Sequence, residues 1–431
     1  MTRILYIHHG GGLGGAPLSL LYLLRQLDRA KYDPVVLCLR DGPVVEMYRR
    51  DGIETIVARG IDEFSHTALE WYGGFDLWRL PGKVLRFWPS IIRTRRYLRE
   101  LKPDLVHLNS STLAAPARAA RREGIPVVWH IREPLADGYF GLRREWLKRH
   151  IHSDAARVIA VSRFDASRLV LSDRVRVIHN FVDFAEFDRA MDAVGARRAL
   201  GLTPAQSVVT MLGGVARPKG TLPFVRALPL VRRAVPNVRF LVAGPPPRVG
   251  ASQPLKSFAK FLLGADAYDR AVMAAASEGL TSGHLRFIGM RSDVPQVLAA
   301  TDVLAFPSVE PHFARPIIEA GAMAKPVVAS RLGGPLELVV DGETGLLAPP
   351  NDPESLADAI VALLKDPERA AAMGEAGYRR ARECFDAEKN ARATFAVYDE
   401  LLASPPRPLG EPRERGASHG PGVRAGGEGD R

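Results

Sequence analysis

With 431 residues, 46% of them hydrophobic and 25% charged, the chain can bury two cores of ordinary size, and two domains are expected. Two widely separated cysteines, Cys38 and Cys384, exclude a disulfide framework, and no apolar run is long enough for a signal core or a membrane span, so a cytoplasmic protein is expected. Nearly all of the +11 net charge sits in residues 1–180, with 29 Lys or Arg against 19 Asp or Glu, while the remainder holds 30 against 29. That asymmetry asks for an anionic partner of the first half: nucleic acid, a membrane surface or a phosphorylated substrate.

The opening ILYIHHGGGLGGAPLSLLYLLRQL reads as strand, glycine loop and amphipathic helix, with Leu20, Leu23, Leu24 and Leu27 at helical spacing. Gly10, Gly12 and Gly15 fit G-x-G-x-x-G, and Asp41 follows the next predicted strand, 35–39, so a dinucleotide-binding dehydrogenase competes for this segment. Further strands are predicted at 53–57, 105–108, 127–130 and 158–161, and their alternation with helix-length segments means a parallel α/β sheet. DLVHLNSS (104–111) and VVWHIREP (127–134) put polar groups where strands end, the place where open α/β sheets bind ligands. His8, His9 and His107 have no partner at a metal-ligand spacing. Between them, residues 75–102 interleave Trp78, Phe87, Trp88, Ile91, Ile92 and Tyr97 with eight basic residues, a pattern suited to a membrane interface, and LRREWLKRH (142–150) adds a second basic cluster.

In the second half, a strand at 208–212 runs into GGVARPKG and a helix starting near Thr221, which sets Lys219 beside free amides, an arrangement suited to a diphosphate. A helix is predicted at 265–278. An apolar strand, 303–306, then stops at Pro307, and a loop carrying Glu310, His312 and Arg315 enters a helix with Pro316 at its first position and Glu319 in its first turn. A strand at 327–329 delivers the chain to Gly333-Gly334, where backbone can approach a ligand closely. Asp352-Pro353 and Asp366-Pro367 start two helices, a last helix spans 386–402, and the Pro, Gly, Arg and Glu-rich chain from Ser404 is expected to be disordered.

The stretch PSVEPHFARPIIEAGAMAKPVVASRLGGPLELVVDGETG (307–345) resembles the nucleotide-sugar signature of the retaining glycosyltransferases of family 4, which have the GT-B fold. Glu319 and Phe313-Ala314 match that signature. Its first glutamate stands eight residues before the second, whereas Glu310 stands nine before Glu319, as though His312 were inserted. The resemblance runs over about residues 3–402 and includes HNFVDF (179–184), where relatives leave their first domain. It implies two Rossmann-like domains facing a central cleft: an acceptor-side domain, 1–180; a nucleotide-sugar domain, 181–385; a helix returning to the first domain, 386–403; and the tail, 404–431.

By the same resemblance a nucleotide-diphospho-sugar is the donor substrate. It would meet Gly12 and Gly14 of the first loop, and Gly214, Arg217 and Lys219 of the second-domain loop. The backbone of Ile288-Gly289 would meet the base, the segment Phe313, Ala314, Arg315, Pro316 and Ile317 the phosphates, and Glu319 the ribose. Relatives carry an arginine five residues before the lysine, and Gly214 takes that place here, with Arg217 two residues before Lys219. His130 and Glu310 are the expected catalytic groups beside the sugar. No cofactor and no metal are expected, the acceptor is a glycan or a lipid-linked molecule, an anionic membrane surface is a further partner at the inner face of a membrane, and nucleic acid is not. A nucleotide-sugar epimerase and a non-catalytic nucleotide-sugar binder compete with this reading, as does the dehydrogenase.

Overall fold

The computed structural model describes residues 1–64, 79–135, 141–170, 172–247 and 267–403. The tail predicted to be disordered, and residues 75–78 of the basic aromatic segment, lie outside them. The first sheet consists of β1 (Thr2–His8), β2 (Tyr32–Cys38), β3 (Glu54–Val57), β4 (Leu105–Leu108), β5 (Val127–Ile131), β6 (Arg157–Ala160) and β7 (Val175–Val177) in the order β3-β2-β1-β4-β5-β6-β7. The second consists of β8 (Ser207–Leu212), β9 (Val238–Ala243), β10 (Leu285–Gly289), β11 (Val303–Phe306), β12 (Val327–Ser330) and β13 (Gly345–Ala348) in the order β10-β9-β8-β11-β12-β13. All paired neighbours are parallel. Helices cover both faces of each sheet, so the strands read as nearly continuous apolar runs. In both sheets the strand order reverses beside the first strand, between β1 and β4 and between β8 and β11, which marks the crevice where such sheets take ligands.

Alternation along the strands sorts the core. Leu5, Ile7, Leu37, Val106 and Trp129 fill one layer, while Ile4, Tyr6 and Val36 fill another that continues through Phe181, Val182, Phe385 and Tyr398 into the second domain. The chain crosses between domains twice, and the two crossings lie side by side. Val182 N–H donates to Phe385 O (2.9 Å), Ala387 N–H to Val182 O (3.2 Å), and Asn390 Nδ2 to both His179 O (3.1 Å) and Cys384 O (3.0 Å). The helix Ala387–Ala403 then packs back on the first domain, where Tyr398 Oη lies 2.7 Å from His107 Nδ1 and Lys31 Nζ 2.7 Å from Asp399 Oδ2.

Two elements depart from expectation in ways that matter for the site. β5 runs through Ile131, one residue further than predicted, because Ile131 is itself buried and pairs with Ala160 of β6. The helix after β11 is Arg315–Ala322, so it begins one residue before Pro316, and Pro316 is its second residue. Glu319 is therefore the fifth residue and not in the first turn, where there is no acidic side chain.

Candidate active site

The loops after β8 and β11 are laced together at backbone level. Gly220 has φ +74°, and a Cβ there would lie 1.7 Å from Pro307 O, so no larger residue fits between Lys219 and the helix Thr221–Ala234. Val309 N–H donates to Pro218 O at 3.0 Å across the same seam. Gly214, in the place of the family's arginine, has φ +70°, and a Cβ on it would fall 2.4 Å from Pro245 N. The turn at this position is packed too closely for a side chain. Arg217 opens the short turn Arg217–Lys219 and its side chain is exposed.

Lys219 Nζ donates to His312 Nε2 at 2.8 Å, and His312 Nδ1 lies 2.8 Å from Glu310 O, which assigns the neutral tautomer with its proton on Nδ1. Burial, reinforced by Lys219, lowers the His312 pKa to about 3, and burial lowers that of Lys219 to about 8. At neutral pH His312 is thus an uncharged acceptor that positions the ammonium, and Lys219 has no carboxylate partner among the described residues. The Glu310 side chain makes no hydrogen bond or ion pair among them either; only its carbonyl is engaged.

Arg315 and Glu319 form a buried pair, with Arg315 Nε and Nη2 donating to Glu319 Oε1 at 3.0 and 2.8 Å. Both bonds fall on one carboxylate oxygen. Arg315 Nη1 reaches across to Ser19 Oγ (2.7 Å) in the first-domain helix Gly15–Arg25, and its guanidinium lies over the Tyr22 ring at 5.2 Å. Gly15 is the glycine of the first loop that faces the other domain, since a Cβ on it would meet Arg315 Cδ at 3.1 Å. Gly12 and Gly14 are exposed. Ala314 caps the helix and is buried with Phe313 and Ile317, while Ile288 and Gly289 end the edge strand β10, with Gly289 O accepting from Gly244 N–H at 2.8 Å.

On the first sheet, alternation puts Tyr6 and His8 of β1, His107 of β4 with Asn109 just beyond it, and His130 of β5 with Arg132 just beyond it on one face, an unusually polar row for a sheet interior. His130, expected at the strand end, lies inside β5 with its ring 5.3 Å from that of His107 and both ring nitrogens without a partner among the described residues. Burial holds the pKa values of His107 and His130 well below the usual range, with Arg132 adding to the effect, so both rings are neutral.

Arg132 occupies the strand-end place instead. It is 7% exposed, its Nε donates to Asn109 Oδ1 (2.8 Å) and its Nη1 to Asn180 Oδ1 (2.5 Å), while Nη2 has no partner among the described residues. Asn109 Nδ2 in turn donates to Ala16 O (3.1 Å) and lies 3.2 Å from His8 Nδ1, which ties the arginine to the end of the glycine loop. Burial, and then Arg315 from the other domain, push the Arg132 pKa down. Sequence reading missed Arg132, although its spacing of two from His130 was the available signal.

The cleft between the carboxyl ends of the two sheets therefore holds a cation from each domain, Lys219 and Arg132, that no carboxylate of the described residues pairs. Among the described residues no group of three His, Cys, Asp or Glu side chains is placed to hold a metal ion, and no helix is long and apolar enough to cross a membrane.

Comparison with known proteins agrees with this architecture. A family model described as Glycosyltransferase Family 4 matches residues 13–186, and one described as Glycosyl transferases group 1 matches 206–366. The lipopolysaccharide core biosynthesis mannosyltransferase LpsB of Rhizobium meliloti is 31% identical over 320 residues, 69% of this chain and 84% of that protein. A D-inositol 3-phosphate glycosyltransferase of Saccharomonospora viridis is 30% identical over 349 residues, 75% of this chain and 76% of that protein. The solved structure of HepE from Anabaena, in complex with UDP and glucose, superposes with a TM-score of 0.75 at 22% identity, covering 93% of this chain and all of that one, and so shares its fold. The chain belongs to the family 4, group 1 glycosyltransferases of GT-B fold and is an enzyme that transfers glycosyl groups.

Proposed function

We propose that this glycosyltransferase takes a sugar from a nucleotide-diphospho-sugar and passes it, with retention of anomeric configuration, to a glycan or lipid-linked acceptor. The observation that carries the donor assignment is the pair of unneutralised cations, Lys219 and Arg132, facing one cleft from opposite domains. A buried charge without a counter-charge is costly, and a diphosphate at the sheet ends relieves both. The complex of HepE with UDP and glucose supports a nucleotide ligand, and the names of the mannosyltransferase and inositol phosphate glycosyltransferase relatives support a hydroxyl-rich acceptor.

In this reading Lys219, held by His312, and the amides at the start of the helix Arg315–Ala322 take the leaving diphosphate's charge, with Arg132 and Arg217 adding to it, the part a divalent ion plays elsewhere. Glu319 spends Oε1 on Arg315 and keeps Oε2 for ribose hydroxyls. The backbone of Ile288-Gly289 meets the base. His130, whose two nitrogens are unspent, and Glu310, whose carboxylate is unspent, are the groups left for the sugar ring.

We further assign an anionic membrane surface to the first domain. In the helix Arg79–Leu101, Leu85, Trp88 and Ile92 are 75%, 55% and 66% exposed at successive turns, while Ile91, Thr94 and Leu98 on the opposite face are buried. Exposed Arg86, Arg93, Arg96 and Arg99 flank that apolar ridge, and Leu142 of the second basic cluster is exposed too. Salt-sensitive sedimentation with anionic but not neutral vesicles is expected, and equal sedimentation with both would remove the membrane from the reading.

The central test is thermal shift against UDP-, GDP- and ADP-sugars, followed by donor hydrolysis with and without EDTA. A nucleotide sugar that raises Tm and is turned over equally in EDTA is expected. If none of them stabilises the protein, the nucleotide donor is wrong. Turnover abolished by EDTA and restored by a divalent ion would overturn the metal-free part alone.

A further inference from the structure

The loop that follows β12 reaches the other domain through one carboxylate. Glu337, in the short helix Pro335–Leu338, accepts hydrogen bonds from the backbone N–H of Arg163 (Oε2, 2.8 Å) and of Phe164 (Oε1, 2.7 Å), and His179 Nε2 lies 3.2 Å from Oε2. Arg163 and Phe164 are the first two residues of the helix Arg163–Ser167 after β6, and such amides have no acceptor within their own helix. Ser162 serves the next donor, Asp165 N–H, through its side chain, so the two amides before it are left to the second domain. A carboxylate across two free amides makes charge-assisted bonds, the stronger class. Although burial works to raise it, the Glu337 pKa is held below the ordinary carboxylate value by His179 and these two amides.

Glu337 is rigidly mounted. Arg380 donates from Nε to Leu338 O (3.1 Å) and from Nη2 to Glu337 O (2.6 Å). On its other side, Gly333 and Gly334 lie against the loop that holds the catalytic cation: a Cβ on Gly333 would come 2.5 Å from Pro311 Cβ, and one on Gly334 would come 2.4 Å from His312 O. His312 is the residue that accepts from Lys219. Contacts therefore run without a gap from Lys219 through His312 and the two glycines to Glu337, and from there to the first domain.

We propose that Glu337 is a closure latch, a positioning residue through which the phosphate loop of the second domain grips the first domain and holds the split active site assembled. The coupling to Lys219 rests on the nucleotide-donor reading, whereas the grip itself does not. When the domains part, the carboxylate and the two amides return to water. When they close, the bonds re-form only if the loop at 311–313 stands where His312 meets Lys219.

The test uses the full chain and two kinds of variant. Glu337→Ala removes the acceptor. Arg163→Pro removes one donor from the opposite side, at a first helical position where proline is tolerated and after Ser162, which is already extended at φ −152°, ψ 161°. Either variant is expected to lower kcat by about ten- to a hundredfold, the weight of hydrogen bonds to a charged group, while the Kd for UDP, GDP or ADP changes by less than about threefold. The radius of gyration of the nucleotide-free protein should rise in both. The double variant should lose little more than Glu337→Ala alone, because the bond is already gone. Wild-type kcat in Glu337→Ala, a loss that lies wholly in nucleotide affinity, or strictly additive effects in the double variant would each overturn the latch. If no nucleotide binds the wild type, the donor reading falls while the radius of gyration still judges the grip.

Discussion

The two sheets deliver polar chemistry to the cleft in different ways. In the second, the strands β8 and β11 are apolar throughout their cleft ends, and the chemistry lives in loops that glycines hold in close backbone contact, Gly214 on Pro245 and Gly220 on Pro307. In the first, polar side chains stand within the strands, Tyr6, His8, His107 and His130, and lead to Arg132. In the loops, burial lowers the Lys219 ammonium to about 8, which leaves it mostly charged at neutral pH, while His312 beside it is held neutral. In the strands, desolvation likewise holds His8, His107 and His130 neutral, and the charge is carried by Arg132 beyond them. The difference teaches which groups can stay charged at this cleft: Lys219 from the loops, and from the strand side Arg132, whose guanidinium keeps its proton where imidazoles lose theirs.

The sharpest break of that comparison is Lys219→Ala, expected to weaken nucleoside diphosphate binding by roughly 1.5 to 3 kcal/mol, or about ten- to 150-fold. Calorimetry checks it, and unchanged affinity would move the diphosphate away from the loop. The next test is pH. The free-enzyme ammonium titrates near 8, lowered by burial, and a bound diphosphate favours its charged form. Affinity should therefore be full below about pH 8 and fall by about tenfold per unit above it, with proton uptake on binding. A flat affinity from pH 7 to 9.5 would show that Lys219 is not the titrating contact.

The two glutamates come third. Glu319→Gln weakens the buried pair with Arg315 and should lower donor affinity by about tenfold, whereas Glu310→Gln, with no bond to lose within the described residues and an amide that can still reach the sugar ring, should stay within about threefold in turnover at saturating donor. Inactive Glu310→Gln beside nearly normal Glu319→Gln would reverse the assignment. A modest effect, between those of the two glutamates, is expected from the strand histidine. His130→Leu should cost about three- to tenfold in kcat, the weight of a neutral hydrogen bond, with nucleotide affinity kept. Wild-type kcat would leave His130 to packing against His107.

Much of this was legible in the chain itself. The parallel α/β class followed from apolar runs alternating with helix-length segments, and two cores followed from length. Lys219 was marked by a strand, a glycine turn and a helix start within a dozen residues. The G-x-G-x-x-G of the first loop, which also suits a dehydrogenase, was resolved only by comparison with relatives, since a glycine loop serves any phosphate-bearing ligand. Glu319 was placed in a first turn because proline is so often the first helical residue. In the structure Ala314 caps one residue earlier, and the carboxylate moves down to pair with Arg315 at i and i+4.

What the sequence by itself determined is whatever depends on near neighbours: strand and helix periodicity, the glycine turns, the capping aspartates at 352 and 366, and the signature of the second domain. Only the tertiary structure decided that Arg132 rather than His130 stands at the strand end, that His312 serves Lys219 as a neutral acceptor, and that Glu337 accepts from the amides of Arg163 and Phe164. Each of these depends on burial or on partners tens to more than a hundred residues away. Desolvation and hydrogen bonding are properties of a place in three dimensions, and no local pattern encodes which distant group will fill it.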